Sequence, residues 1–526
     1  MQEECVSLQL CVSVLGALES VVRRCVGPEG GSVLMVLDCM CAHTKSTGDG
    51  SKSFVLLLAA LLRGIQESAS MHHKTTLSDP ALPNLANRLL AVGLKQLDDI
   101  ITHKITPYAM LHCRHHSNKL DDRIVDLLVS GYISGRVGIG QADSLRRVLC
   151  EFYNTIQKDQ ITAEKISFIH SHFTFLHTTV TGRPIGCSEV IEGLVVPRDW
   201  SVWTELEGPL RALVLYESVG SLFDTGDLSI SIQEDWFQRA ESIVKQKLAQ
   251  LLQLQVNVVL SSVKQPDIVL EWARMNCISL LECVESEQLD FFCHVSAIET
   301  LSHPGQQITK LKYCRRLQLG GHRCAHLGLF SHMHTLVLCA PAPGLLDQIV
   351  SVSQGVFAML QHLSQSYTSN CHLGDQCQDL WSGVVRAGLV IPAGGVFELL
   401  LHYFLLNNSG CDSESGKILA KALLSVPRAL YSLNHRRFLK IQTRFLDNLK
   451  LWEKTAAEES ERPGLDLELC YGEGLSLESV CGKQQLVVSV LQCLHRLLCV
   501  GGILKTRSAV HAKIHSEEED VADDEV

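Results

Sequence analysis

The string Gly48-Asp49-Gly50-Ser51-Lys52-Ser53 opens a stretch in which Phe54, Leu57, Leu58, Leu61, Leu62 and Ile65 recur at helical spacing, which predicts a glycine-rich acidic loop held at a helix N-terminus. The first amides of a helix have no partner within it and the macrodipole is positive there, so an anion is stabilised by roughly 0.3–1 kcal/mol before any specific contact. Glycine lets backbone come close to such a ligand. Asp49 repels phosphate directly, but its carboxylate has the chemistry to hold a Mg²⁺ that bridges to phosphate oxygens. The loop reads as a nucleotide and metal element. It is not a Walker A loop, because Ser51 separates Gly50 from Lys52 where that motif needs Gly directly before Lys. Taken alone, the same residues also describe a plain helix start capped by Asp or Ser.

Two further glycine turns accompany it. Gly27-Pro28-Glu29-Gly30 follows a helical apolar stretch (Val6, Leu10, Val14, Leu18, Val21, Val22), and far downstream Ala393-Gly394-Gly395-Val396-Phe397-Glu398 again enters an apolar helix. Glycine turns at opposite ends of the chain suggest one site assembled from both termini. This order resembles the group II chaperonin family, whose subunits carry Gly-Pro-Lys-Gly and Gly-Asp-Gly-Thr-Thr-Ser early and Pro-Gly-Gly-Gly-Ala late, around one ATP pocket. Further collinear pieces look similar: Cys187-Ser188-Glu189-Val190-Ile191-Glu192-Gly193-Leu194-Val195, Val256-Asn257-Val258-Val259, Ala422 through Leu430, Leu477-Glu478 and Lys483-Gln484. Within the family, Ser261-Ser262-Val263-Lys264-Gln265-Pro266-Asp267 and Leu401-His402-Tyr403-Phe404-Leu405-Leu406-Asn407 resemble a vertebrate chaperonin-like branch linked to cilia.

Length permits such a subunit. At about 150 residues per domain, 526 residues suggest three or four domains, and 46% hydrophobic content supplies a large core. Of the net charge of -11, most comes from a tail carrying Glu517, Glu518, Glu519, Asp520, Asp523, Asp524 and Glu525, which reads as a solvated end. No basic stripe with interleaved aromatics appears, so nucleic acid is not an expected partner. The 21 cysteines, an odd number scattered through a large chain, read as reduced thiols in cytosol. Glu3 and Glu4 stand where a secretory signal is basic, and the apolar run Phe54 to Leu62 is too short to span a bilayer, so no membrane insertion is expected.

Periodicity is helical to about Ser130, with a break over Ser68 to Pro83 and apolar faces at Leu85, Leu89, Val92 and at Leu120, Ile124, Leu127, Leu128. Gly135 to Gly140 reads as a hinge or turn, and a helix follows from about Ser144. Thr178 to Val196 is β-like. Val256 to Leu260, a helix around Pro266 to Met275, Ile278 to Leu281 and a helical turn from Ser286 alternate at a pitch that implies a parallel two-layer unit. After Pro343 long helices return. The expected fold class is therefore multi-domain, α plus α/β. The resemblance implies the group II chaperonin-like arrangement: a helical equatorial domain (1–130 and 392–507), a small intermediate domain (131–186 and 343–391), an inserted apical α/β domain (187–342) and the acidic tail (508–526).

The resemblance also implies site roles. Gly27 and Pro28 lie along the nucleotide, Asp49 holds Mg²⁺, Gly50, Ser51 and Ser53 donate to phosphates, Gly394 and Gly395 pack near the base, and Glu478 meets the ribose. Two departures weaken the engine. Glu29 stands where the family has Lys, a charge reversal beside phosphates, and only the 17 residues 31–47 separate Gly30 from Gly48 where the family fits a strand pair, an Asp-Gly loop and a helix. A second family acid, before the late glycine turn, has Asp379 as its nearest counterpart. Positioned carboxylates are worth about 10²–10⁴ in rate. Their loss argues against an ATP-driven folding cycle while leaving ATP and Mg²⁺ binding in a degenerate site.

Among other clusters, His112-Cys113-Arg114-His115-His116 with His72-His73 lacks a second ligand pair at zinc-like spacing. His322, Cys324 and His326, with His332 and His334, alternate as on a strand. Asp224 to Asp235, ahead of Trp236 and Phe237, looks shorter than the helical lid of the family. The main expectation is a chaperonin-like assembly factor for a ciliary trafficking complex, the BBSome. Its implied partners are related Bardet-Biedl chaperonin-like proteins, cytosolic chaperonin subunits and BBSome components, in cytoplasm and at the ciliary base. The alternatives are an active ATP-hydrolysing foldase subunit and, more weakly, a metal-dependent enzyme using the His112 cluster.

Overall fold

The structure is a computed structural model and describes residues 30–71, 81–111, 122–156, 162–219, 235–296, 298–300, 306–371, 389–407, 413–432, 435–455 and 476–499. Gly27, Pro28, Glu29, the His72 and His112 clusters, Asp379, the segment 224–234 and the acidic tail lie outside the described residues.

Helix α1 (Gly30–Thr47) fills the short interval before the glycine loop, and α2 (Ser51–Met71) leaves it. Phe54, Leu57, Leu58, Leu61 and Ile65 are buried along one stripe of α2, whereas Leu62 is 39% exposed. The stripe is narrower than expected because Leu62 sits at its edge. After residue 80 the chain re-enters a helix, α3 (Ala81–Ala91), and continues through helical turns to Tyr108. Helix thus covers both ends of the break expected over 68–83, at 68–71 and at 81–83. Pro83 is accommodated in the first turn of α3, where a backbone N–H has no helical acceptor to lose. Strand β1 (Met110–Leu111) ends this part.

The middle of the chain starts with α4 (Asp122–Ile133), a turn at Gly135 with φ +74°, α5 (Ile139–Thr155) and α6 (Thr162–Leu176). The helix expected from Ser144 begins five residues earlier. Strands β2 (His177–Thr181), β3 (Glu189–Glu192), β4 (Leu194–Val196) and β5 (Leu206–Leu215) follow. Next come α7 (Asp235–Gln253), β6 (Val258–Ser261), α8 (Asp267–Met275), β7 (Ser279–Leu281) and α9 (Ser286–Val295). Then β8 (Ile298–Thr300), β9 (Gln306–Leu319), β10 (His322–Gly328) and β11 (His334–Ala340) lead into α10 (Pro343–Cys371).

β5, β6 and β7 pair in parallel, and every residue of β6 and β7 is buried, as strands covered on both faces require. The expected parallel unit is nevertheless only one side of a seven-stranded mixed sheet in the order β4-β10-β9-β5-β6-β7, with β8 also on β9. The long β9 pairs antiparallel with both β5 and β10, and the β9–β10 turn carries Gly320 at φ +59°. A separate small sheet joins β2, β11 and β3.

The chain then returns to its starting layer through β12 (Leu389–Pro392), α11 (Val396–Asn407), α12 (Ser413–Leu423), α13 (Ser425–Leu430), α14 (His435–Thr455), β13 (Leu477–Ser479) and α15 (Val480–Cys499). A third sheet, β1-β12-β13, stitches residue 110 to residues 390 and 479. One core is drawn from α2, α3, α11, α12 and α15, with Phe54, Phe397, Leu400, Leu419 and Val490 fully buried. Each such large side chain contributes about 1.5–3 kcal/mol on burial, so packing rather than the loop itself holds the two ends together.

Candidate functional site

The glycine loop owes its shape to two residues that only glycine suits. Gly48 has φ +76° and Gly50 φ +94°, and a Cβ on Gly48 would lie 2.5 Å from the backbone nitrogen of Met359 in α10. The loop is closed by the Thr47 hydroxyl, which donates to the Asp49 carbonyl at 2.9 Å, and by the Gly50 N–H, which donates to Asp49 Oδ1 at 2.5 Å. From the middle of the chain, the Tyr132 hydroxyl donates to the Gly48 carbonyl at 2.8 Å. Arg136, in the turn after α4, donates to Asp49 Oδ1 and to the Tyr132 carbonyl, with its guanidinium 4.0 Å from the Tyr132 ring centroid.

A crevice of about 100 Å³ opens beside this loop. Asp49, Gly50, Ser53 and Glu478 all line it, together with His43, Tyr132, His362, Ala393 and Lys483. Four of the expected site residues, drawn from positions 49 to 478, are therefore brought to one place. Ser51 starts α2 without lining the crevice. Gly394 (φ +97°) and Gly395 (φ +95°) shape the turn from β12 into α11 instead, with Ala393 facing the crevice in their stead. A Cβ on Gly395 would sit 2.8 Å from Pro427.

Glu478 is delivered by β13, where it stands opposite Ile391 of β12. Lys483, one turn into α15, bridges Glu478 and Glu398 at 2.9 Å each. One cation thus serves two carboxylates. Glu478 Oε1 and Glu398 Oε2 are buried and have no hydrogen-bond partner among the described residues. Burial raises the Glu478 carboxyl well above the usual carboxylate range; Lys483 opposes the shift and Glu398 adds to it. For Lys483, burial acts to lower the ammonium, but the two carboxylates outweigh it and hold it charged. His43, buried at the end of α1, is lowered to about 4, chiefly by burial against the opposing pull of Asp49. His362 is likewise lowered by burial and pairs with Gln485 at 2.7 Å. At neutral pH both imidazoles are uncharged.

The Mg²⁺ implied for Asp49 would find only Oδ2 of that carboxylate without a described hydrogen bond. Oδ1 already accepts from Gly50 and from the Arg136 guanidinium, and the other two carboxylates share Lys483. Among the described residues no group of three His, Cys, Asp or Glu could hold a metal ion. Of the strand histidines, His326 faces the Glu192 carbonyl at 2.7 Å and Tyr313 at 3.3 Å, while His322 is exposed. Among the described helices none is long and apolar enough to cross a membrane.

Sequence reasoning missed His43, Tyr132, Arg136, His362, Glu398 and Lys483 as members of this site. Lys483 and Glu398 stood inside strings that carried the resemblance, which was the available signal. Tyr132 and Arg136 gave none, since no local pattern ties them to Gly48 and Asp49.

No family model matches the chain. It is 23% identical to the BBSome complex assembly protein BBS10 of Mus musculus, over 98% of this chain and 99% of that protein. Proteins of the same name from Pongo abelii and Homo sapiens are each 27% identical over 68% and 69% of this chain, and it spans 57% and 58% of their lengths. A group III chaperonin solved in the open state matches with a TM-score of 0.58 and 16% identity, covering 90% of this chain and 88% of that one. The chain thus has the chaperonin fold and is similar to proteins named for assembly of the BBSome, to the mouse one along nearly its whole length.

Proposed function

We propose that the protein is a chaperonin-like assembly factor that helps build the BBSome, acting in the cytoplasm and at the ciliary base by holding subunits rather than by cycling ATP. The observation that carries this reading is the similarity to the mouse assembly protein over 98% of this chain and 99% of that one. Its partners are BBSome components, related Bardet-Biedl chaperonin-like proteins and cytosolic chaperonin subunits. The crevice beside Gly48 and Asp49 binds adenine nucleotide in a degenerate form, with the α2 N-terminus facing phosphate and Glu478 accepting from a ribose hydroxyl. Hydrolysis needs a carboxylate free to orient or deprotonate water. Each described carboxylate of the crevice is instead held by a cation, Asp49 by Arg136 and Glu478 by Lys483, which supports binding without turnover.

The test is reconstitution. BBSome subunits expressed with and without the full chain are followed by size-exclusion chromatography. Higher yield of the assembled complex with the chain is expected, and an Asp49→Ala chain retains most of that gain. Equal yield with and without the chain removes the assembly reading. A gain that vanishes with Asp49→Ala favours an ATP-hydrolysing folding subunit.

A further inference from the structure

Two of the 21 cysteines meet where the ends of the chain are packed together. Cys39 stands on α1 and is half-buried, whereas Cys493 stands on α15, fully buried in the core that holds the two ends. Cys39 packs against that same core, and the two helices are in contact. The Cys493 thiol lies within hydrogen-bond reach of Cys39. Arg496, one turn further along α15, donates through Nη1 to the Cys39 sulfur at 3.8 Å. One sulfur is thus reachable and flanked by a cation, and a second is held next to it in the core. Among the described residues no metal-binding group claims either of them.

We propose that Cys39 and Cys493 are a peroxide-responsive pair whose disulfide clamps α1 to α15. The proposal does not depend on the nucleotide reading. The Cys39 thiolate attacks one oxygen of hydrogen peroxide, the O–O bond breaks, hydroxide leaves and a sulfenic acid forms on Cys39. The Cys493 sulfur then attacks the sulfenic sulfur, the S–S bond forms, the S–O bond breaks, and hydroxide leaves to take up the Cys493 proton as water. Two thiols and one peroxide give one disulfide and two waters. A cation beside a partly exposed sulfur is a setting in which thiols act as nucleophiles, and a sensor cysteine needs a second thiol close by. Burial, and next the neighbouring Cys39, raise the Cys493 thiol above its ordinary range against the opposing pull of Arg496. Cys493 therefore keeps its proton and the first attack falls to Cys39. In a reducing cytoplasm such a bond is transient, as a sensing bond must be. Cys39 lies one helical turn before His43, and α15 also carries Lys483, so the clamp joins two helices that line the crevice.

The test is peroxide oxidation of the full chain, followed by tryptic mapping without reductant. Cuts at Lys483 and Arg496 isolate Cys493 from Cys481 and Cys499, while Cys39 shares its peptide with Cys25 and Cys41. Expected is a linked peptide joining the two segments, lost on adding dithiothreitol and absent from Cys39→Ala. In Cys493→Ala, dimedone is expected to label Cys39 after peroxide, because the sulfenic acid has lost its partner. Amide exchange along α1 is expected to slow by about fivefold or more in the oxidised wild type and to stay unchanged in Cys39→Ala. A link that survives in Cys39→Ala, no link at all, or a link without slower exchange overturns the proposal. Should Cys493→Ala fail to fold, the wild-type and Cys39→Ala maps decide the matter alone.

Discussion

The Tyr132 hydroxyl donates to the carbonyl of Gly48, 84 positions earlier in the chain, at 2.8 Å and out of water. This bond ties the last turn of α4 to the glycine loop. Burial raises the phenol above its ordinary value, so it stays protonated and remains a donor. Tyr132→Phe removes the donor and leaves a buried carbonyl unsatisfied, at a cost of about 1–3 kcal/mol. Urea denaturation measures the loss, and hydrogen exchange shows it concentrated at residues 47–50.

The same tyrosine sets the identity of a residue in α10. A Cβ on Gly355 would lie 2.0 Å from the Tyr132 hydroxyl oxygen, an impossible approach. Gly355→Ala therefore forces Tyr132 off Gly48 and is expected to cost about 2–3 kcal/mol, the scale of overpacking, despite alanine's better helix propensity. Combined with Tyr132→Phe, the double variant is less destabilised than the sum of the singles. A double-mutant cycle in urea reads that coupling.

Lys483 carries a larger share. Among the described residues it is the one cation that bridges Glu398, 2% exposed, and Glu478. Lys483→Met strands two carboxylates and is expected to destabilise by about 3–5 kcal/mol. Adding Glu398→Gln recovers part of the loss, because the more deeply buried charge is then gone. Chemical denaturation of the three variants at pH 7 checks the ordering.

The parts of this site legible in the sequence were those encoded locally. Gly48, Asp49, Gly50 and Ser53 stand in one loop where glycine spacing and the helix that follows dictate each other, and Glu478 was reached through family resemblance. What packs around them was not legible. Arg136 lies 87 positions from Asp49 and Glu398 lies 85 from Lys483, and no periodicity records such distances. The fold shows the same division. The buried runs at β6 and β7 announced parallel strands, but the antiparallel half of that sheet depends on β9 choosing two partners, which its own residues do not specify. Leu62 marks the limit of helical spacing, since a stripe edge is decided by the neighbouring helix.

His43 gives a pH signature. In the unfolded chain its imidazole titrates near 6.5, whereas buried between Thr47 and Phe54 it stays neutral down to about 4. The unfolded state therefore binds a proton that the folded state refuses. The stability present above pH 6.5 is lost as pH falls from 6.5 toward 4, by about 3 kcal/mol in all. His43→Gln flattens that part of the profile. Urea midpoints at pH 7.5, 6, 5 and 4.5 report it, and parallel slopes for wild type and variant would contradict the assignment.

The most direct measurement on binding without turnover is phosphate release by the purified full chain, wild type against Asp49→Ala, with ATP in MgCl₂. The predicted result is release no faster than the protein-free blank and the same for both chains. Steady release by the wild type that Asp49→Ala abolishes would contradict it, because Asp49 would then be serving catalysis rather than standing paired with Arg136.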